Sequence, residues 1–167
     1  MLIRKEEYED WPVVHALNAS VFETAAEAKL VDALRRDAKP IISLVAAEGK
    51  EIVGHILFSP VSLVDHPELM IMGLAPMAVA AHRQRRGIGS ALVGAGLEHC
   101  KQLGAGAVVV LGHHDYYPRF GFVPATRYGL RSAYEVPEEA FMAVELRPGY
   151  LKDAGGMIEY HAAFGNL

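Results

Sequence analysis

The residues that offer chemistry most directly are Gln84-Arg85-Arg86-Gly87-Ile88-Gly89. Two glycines one residue apart let the backbone approach a ligand closely, and Arg85 or Arg86 can add a charge-assisted contact. The turn lies between an apolar run ending at Ala80 and a helical pattern beginning near Ile88. The first N–H groups of a helix lack internal partners and sit at its positive dipole end, so such a junction is an anion site. A diphosphate suits it. A P-loop would need a lysine after Gly89, and none follows; a dinucleotide fingerprint would need a third glycine, and Gly87-Ile88-Gly89-Ser90-Ala91-Leu92 has none. What remains is the spacing Gln-x-x-Gly-x-Gly after a long mid-chain strand. Arg83, beside this turn, reads by itself as a solvated charge.

The elements that must hold this turn follow from periodicity. Leu2 to Arg4 suits a short first strand. From Glu6, the apolar residues Trp11, Val14, Leu17, Ala19 and Val21 fall near helical spacing, with Pro12 tolerable only in a first turn. A second helix is expected over Ala25 to Arg36, where Thr24 and Glu27 fit a capping box. Ile41 to Glu48 and Glu51 to Val64 read as two strands joined at the turn-forming pair Gly49-Lys50. Leu69 to Ala80 is a third long apolar strand, and Ile88 to Leu103 a helix closed by Gly104. Ala107 to Leu111 is wholly apolar, as in a strand buried on both faces. Phe141 to Leu146 is expected to be a last strand; residues 148–167 suggest no element. The order implies a mixed α/β or α+β fold with an antiparallel meander followed by strand–helix–strand.

Composition sets the outer limits. A chain of 167 residues is expected to form one domain, here 1–167, with a recognisable core over about 1–146. Sixteen basic and twenty acidic residues give a net charge of −4, which argues against a general nucleic-acid surface. The single cysteine, Cys100, rules out an internal disulfide and a cysteine-based zinc cage. The histidines lack a zinc spacing, so no metal is expected. No apolar run approaches the ~20 residues that span a bilayer, and the start of the chain has no apolar signal core. A cytoplasmic setting is expected.

Two motifs in order now carry a resemblance. Met77-Ala78-Val79 through Gly89 and Ser90 resembles the acyl-CoA signature of the GNAT superfamily of N-acetyltransferases. Tyr117-Pro118-Arg119-Phe120-Gly121-Phe122 has that family's Tyr-x-x-x-Gly-Phe form, about 30 residues later, and Gly112 to Tyr117 is similar to a bacterial branch of the family. The resemblance implies a mainly antiparallel sheet with a splayed parallel strand pair, flanked by helices. It implies acetyl-CoA as cosubstrate, with Met77, Ala78 and Val79 gripping the pantetheine opposite Val108 to Leu111. Gln84, Arg85, Arg86, Gly87, Ile88, Gly89 and Ser90 would then cradle the pyrophosphate.

Acetyl transfer to an amine needs a neutral amine, a polarised carbonyl and a proton for the departing thiolate. Tyr117 matches the family's proton donor; a phenol of unperturbed pKa about 10 keeps its proton at neutral pH. Its alternative is an aromatic packing beside Phe120 and Phe122, and Tyr116 is the less favoured neighbour. For the base, His55 lies in a strand expected to face the substrate cleft, and an imidazole has the right proton affinity. Glu23, Glu27, His113 and His114 are the other candidates, and His55 itself has the alternative of a satisfied core histidine. The acceptor would be a primary amine of a small molecule or peptide. A non-catalytic acyl-CoA-binding or sensor module is the competing reading. Homodimerisation is common in the family, though no residue here signals it.

Overall fold

The computed structural model describes residues 1–166, so the last residue of the expected C-terminal extension, Leu167, lies outside the described residues. The described residues divide into two compact units, one of residues 1–59, 75–96 and 162–166, the other of 60–74 and 97–161.

In the first unit, β1 (Leu2–Lys5) pairs antiparallel with β2 (Ile42–Glu48), and β2 pairs antiparallel with β3 (Glu51–Leu63) across the two-residue turn Gly49-Lys50. Gly49 has φ 62°, the left-handed geometry such a turn demands. Helices α1 (Trp11–Val21) and α2 (Ala26–Asp37) follow β1, and α3 (Ile88–Leu103) follows the phosphate turn. Because side chains alternate along a strand, β3 presents different residues to different helices. Gly54 backs onto Ile88 and Leu92 of α3, and Phe58 onto Gly96, so neither glycine has room for a Cβ. His55, between them, turns the other way and meets Asn18 of α1. Leu17 packs with Ala78 and Ala80, with Val21, Phe22 and Ile52 around them.

Two local expectations change in detail. The capping box at Thr24 and Glu27 is not formed: the residue before α2 is Ala25, and Thr24 Oγ1 accepts only from the Ala26 N–H at 3.1 Å. The first helical stretch is divided, with a single 3-10 turn at Tyr8–Asp10 leading into α1. Asp10 accepts two bonds from Arg4, at 2.6 and 3.0 Å, and one from the Glu7 N–H, and this trio fixes the turn between β1 and α1.

In the second unit, β4 (Ile71–Val79) pairs in parallel with β5 (Ala107–Leu111). Strand β8 (Phe141–Glu145) lies antiparallel to β5 and to β6 (Val123–Pro124). Two short strands, β7 (Leu130–Ser132) and β9 (Gly156–Glu159), pair in parallel, and β9 also joins the end of β3 antiparallel. The mixed, mainly antiparallel fold with a parallel β4–β5 pair is therefore as expected. The C-terminal stretch, which the pattern left without an element, completes this unit's core. Leu151, Ala154 and Ile158 are buried with Val61, Val109 and Phe141. The Tyr150 hydroxyl accepts from the Met70 N–H at 2.7 Å, and its ring lies where a Cβ on Gly106 would stand.

Candidate functional site

The phosphate turn is built by main-chain constraints at both ends. At the exit of β4 the Ala80 N–H donates to Val53 O at 2.8 Å. Backbone groups alternate in direction along a strand, so the N–H and C=O groups of Val79 and Met77 face away from β3. The Gln84 side chain donates to Val79 O at 3.0 Å, so this residue closes the turn onto its own strand. A 3-10 turn at Ala81–Arg83 follows, then Arg85 at φ 64° and Gly87 at φ 83°. A left-handed arginine is uncommon outside functional loops. A Cβ on Gly87 would meet nothing within 4 Å, so glycine is required there for conformation and the space above it is open.

The Gly87 carbonyl accepts from the Ala91 N–H, which starts α3. Ile88 and Gly89 stand in the first turn of this helix, where N–H groups have no acceptor one turn back along the chain. Arg85 and Arg86 are exposed, and neither has an ion pair or hydrogen bond among the described residues. Ile88, by contrast, is buried against Gly54, so only its backbone can meet a ligand. Gly89 and Ser90 are half-buried in the first turn of α3. Two uncommitted cations, an open backbone concavity and a helix start make an anion site that fits a diphosphate.

Strand β4 carries the second feature. Its ladder with β5 runs from Ile71↔Ala107 to Leu74↔Val110, whereas β4 itself continues through Ala75–Val79. Pro76 has no N–H to give to a ladder. Ala78 is buried on the α1 side with Leu17, while Met77 and Val79 are half-buried.

Tyr117 opens a 3-10 turn, Tyr117–Phe120, that ends on Gly121 at φ 94°. Its ring is 8% exposed and enclosed by aromatic neighbours. Tyr116 stands edge-on at 5.0 Å and Phe122 at 5.6 Å between centroids. Gly112 lies beneath it: a Cβ there would fall 2.4 Å from Tyr117 Cε2. Among the described residues its hydroxyl makes no hydrogen bond, and it is not one of the side-chain atoms sealed from solvent without a partner. Burial, and secondarily the nearby Tyr116 phenol, push the Tyr117 pKa up to about 12. The group is thus a proton-bearing phenol at every ordinary pH. Tyr116 has a different setting, with the Arg119 guanidinium over its ring at 4.4 Å and Arg119 Nε donating to its carbonyl.

His55 departs from its expected role. It is completely buried, and both ring nitrogens are engaged. Asn18 Nδ2 lies 3.2 Å from Nδ1 and 3.0 Å from Val14 O, so the amide donates to both. The ring proton is then on Nε2, which donates to Ser43 Oγ at 2.8 Å. Burial, and then the positive charge of Arg35, lower the His55 pKa to about 3. The expectation that this imidazole faces a cleft and takes a proton from an amine is corrected by these contacts: it is neutral, and no lone pair is left open. The other base candidates sit on the surface. Glu23, His113 and His114 are exposed and Glu27 is half-exposed, with His113 contributing its carbonyl to the turn before Tyr117. A small cavity of about 280 Å³ opens at the start of α2, lined in part by Thr24, Lys29, Leu30 and Ala163; none of these candidates lines it. No group of histidine, cysteine or carboxylate side chains among the described residues is placed to hold a metal ion, and no helix among them is long and apolar enough to cross a membrane.

Sequence reasoning missed Asn18 and Ser43, the partners of His55. An asparagine on the apolar stripe Val14, Leu17, Val21 was a usable signal, because a buried amide must be hydrogen-bonded.

Comparison with known proteins agrees with this geometry. The model of the acetyltransferase (GNAT) family matches residues 3–122. The chain is 39% identical to the uncharacterised N-acetyltransferase YhbS of Escherichia coli over 168 residues, covering 100% of both proteins. A crystal structure of YhbS in complex with CoA superposes with a TM-score of 0.92 at 37% identity, covering 98% of this chain and 91% of that one. A GNAT acetyltransferase from Brucella melitensis, solved with acetyl-CoA, superposes at 0.80 with 32% identity, covering 98% and 97%.

Proposed function

This chain belongs to the GNAT family of acetyltransferases, and from that premise we propose the roles of its residues in moving an acetyl group from acetyl-CoA to a primary amine. The observation that carries the reading is the turn at residues 84–89, whose two uncommitted arginines precede an open left-handed glycine at the start of α3. Arg85, Arg86 and the N–H groups of Gly87 to Ser90 hold the pyrophosphate; the outward backbone of Met77 and Val79 holds the pantetheine. Ala78, Gln84 and Ile88 serve the same site from behind, by packing or by closing the turn.

The amine nitrogen attacks the thioester carbonyl carbon, the C–S bond breaks, and the thiolate takes the Tyr117 proton. The products are an acetamide and free CoA. The proton lost by the amine passes to solvent, from which the Tyr117 phenolate takes one back; His55 takes none and holds α1 against β2 and β3. Both compact units belong to one acetyltransferase domain, since the family match runs through residues of each. The acceptor is a small-molecule or peptide amine met in the cytoplasm, not a nucleic acid or a membrane, and these roles are the same in a monomer and in a homodimer.

The decisive experiment is release of free CoA from acetyl-CoA across a panel of primary amines. Turnover with at least one amine, abolished in Tyr117→Phe, is the expected result. Tight CoA binding with no turnover on any amine would favour the sensor module, which the absence of an open base makes the strongest rival.

A further inference from the structure

The entry to the phosphate turn is tied to the tip of the β2–β3 hairpin by charge. Glu48 and Glu51 are directly opposed across the two strands. Like charges in that position repel and weaken a hairpin. The repulsion is answered from outside the hairpin. Arg83 Nη1 lies 3.5 Å from Glu48 Oε2 and Nη2 lies 4.0 Å from Glu51 Oε2. His82 Nε2 meets Glu51 Oε1 at 2.9 Å. Both side chains belong to the 3-10 turn Ala81–Arg83, immediately before Gln84. Arg83 Nε is buried and has no hydrogen-bond partner among the described residues, so its guanidinium stays in place through these two carboxylates rather than through a network of its own.

From this we propose that Glu48 and Glu51 form a carboxylate clamp that positions the CoA-binding turn through Arg83, making the hairpin tip a determinant of donor affinity. The proposal rests on the reading of residues 84–89 as the CoA site. The physical case is one of preorganisation. The turn contains a left-handed arginine and a left-handed glycine, both conformations that a free chain seldom holds together. Main-chain bonds anchor its two ends, at Ala80 and Ala91, and the Arg83 N–H donates to Ala80 O at 2.8 Å; beyond these the chain has the Gln84 bond and this clamp. Losing the clamp frees the turn to sample other conformations, and binding must then repay their entropy. Arg83, Glu48 and Glu51 are positioning residues: they touch the turn and not the reacting atoms.

The opposite role for Arg83 makes the opposite prediction. Were Arg83 itself a phosphate ligand, its two carboxylates would compete with CoA, and removing them would tighten binding. The test is calorimetric titration of the full chain with CoA, comparing the wild type with Glu48→Gln/Glu51→Gln, Arg83→Gln and the triple variant. The clamp predicts that the glutamine pair weakens CoA about fivefold, the size of a partly exposed ion-pair network. It also predicts that the same pair has almost no further effect once Arg83 is glutamine, since coupled residues are not additive. Unchanged or tighter binding in the glutamine pair overturns the proposal, as does an equal loss in the Arg83→Gln background. Gly87→Ala separates this failure from a wrong site. If Gly87→Ala weakens CoA while the pair does not, only the clamp falls; if neither matters, the placement of CoA at the turn falls with it.

Discussion

Two buried titratable side chains, His55 and Tyr117, stand in opposite relations to their surroundings. His55 is enclosed by polar partners that use both of its nitrogens. Tyr117 is packed among rings and above a glycine, and its hydroxyl has no hydrogen-bond partner among the described residues. Burial pushes both towards their neutral forms, His55 down to about 3 and Tyr117 up to about 12. The shared cause hides different uses. A satisfied neutral group holds structure, whereas an unsatisfied one retains a proton to give.

The sharpest way to break this contrast is Tyr117→Phe. Loss of a general acid is expected to lower kcat by about 10²-fold or more, while calorimetric CoA affinity stays within about twofold, because the ring packing survives. A wild-type kcat profile should show no alkaline limb from this phenol below about 12. A limb near pH 10 that disappears in Tyr117→Phe would mean that the hydroxyl is hydrated and the contrast is wrong.

Gly112→Ala tests the packing that positions the phenol. A Cβ 2.4 Å from Cε2 cannot coexist with the ring where it stands, and a misplaced acid should reduce kcat by about tenfold. Steady-state kinetics that left kcat unchanged would show that the ring has freedom to yield.

His55→Leu should act on stability instead. Leaving Ser43 and Asn18 without their partner costs about 1–3 kcal/mol in a denaturant titration, with kcat per folded molecule within about twofold of wild type. A 100-fold loss of kcat in a folded protein would return His55 to the catalytic group.

The smallest effect is on pH dependence. The folded-state pKa of His55 lies below its unfolded value, so unfolding takes up a proton in acid. The stability of the neutral ring is full above about 6.5 and is lost as pH falls towards about 3. Urea midpoints across that window should therefore vary less steeply in His55→Leu, by up to one proton. An identical slope would mean that the imidazole is already hydrated in the folded protein.

How much of this could be read from residues alone differs from place to place. The phosphate turn was legible because its requirements are local: glycine at a left-handed position, arginines in the turn, apolar periodicity on either side. The hairpin turn at Gly49-Lys50 and the stop at Gly104 were legible for the same reason. The thin signal over residues 148–161 had no local cause to find, since Tyr150, Leu151 and Ile158 are held by partners at Met70, Gly106 and in β3 and β7. Arg83 read as a solvated charge until the hairpin and the turn were seen together, where Glu48 and Glu51 meet it.

By itself, then, the sequence determined the family, the donor and the strand–turn–helix to which we assign donor binding, because these depend on neighbours within a few residues along the chain. Only the tertiary structure decided what the buried groups do. Whether an imidazole is open or satisfied depends on an asparagine 37 residues away and a serine 12 residues away. Those separations carry no periodicity for a linear reading to detect.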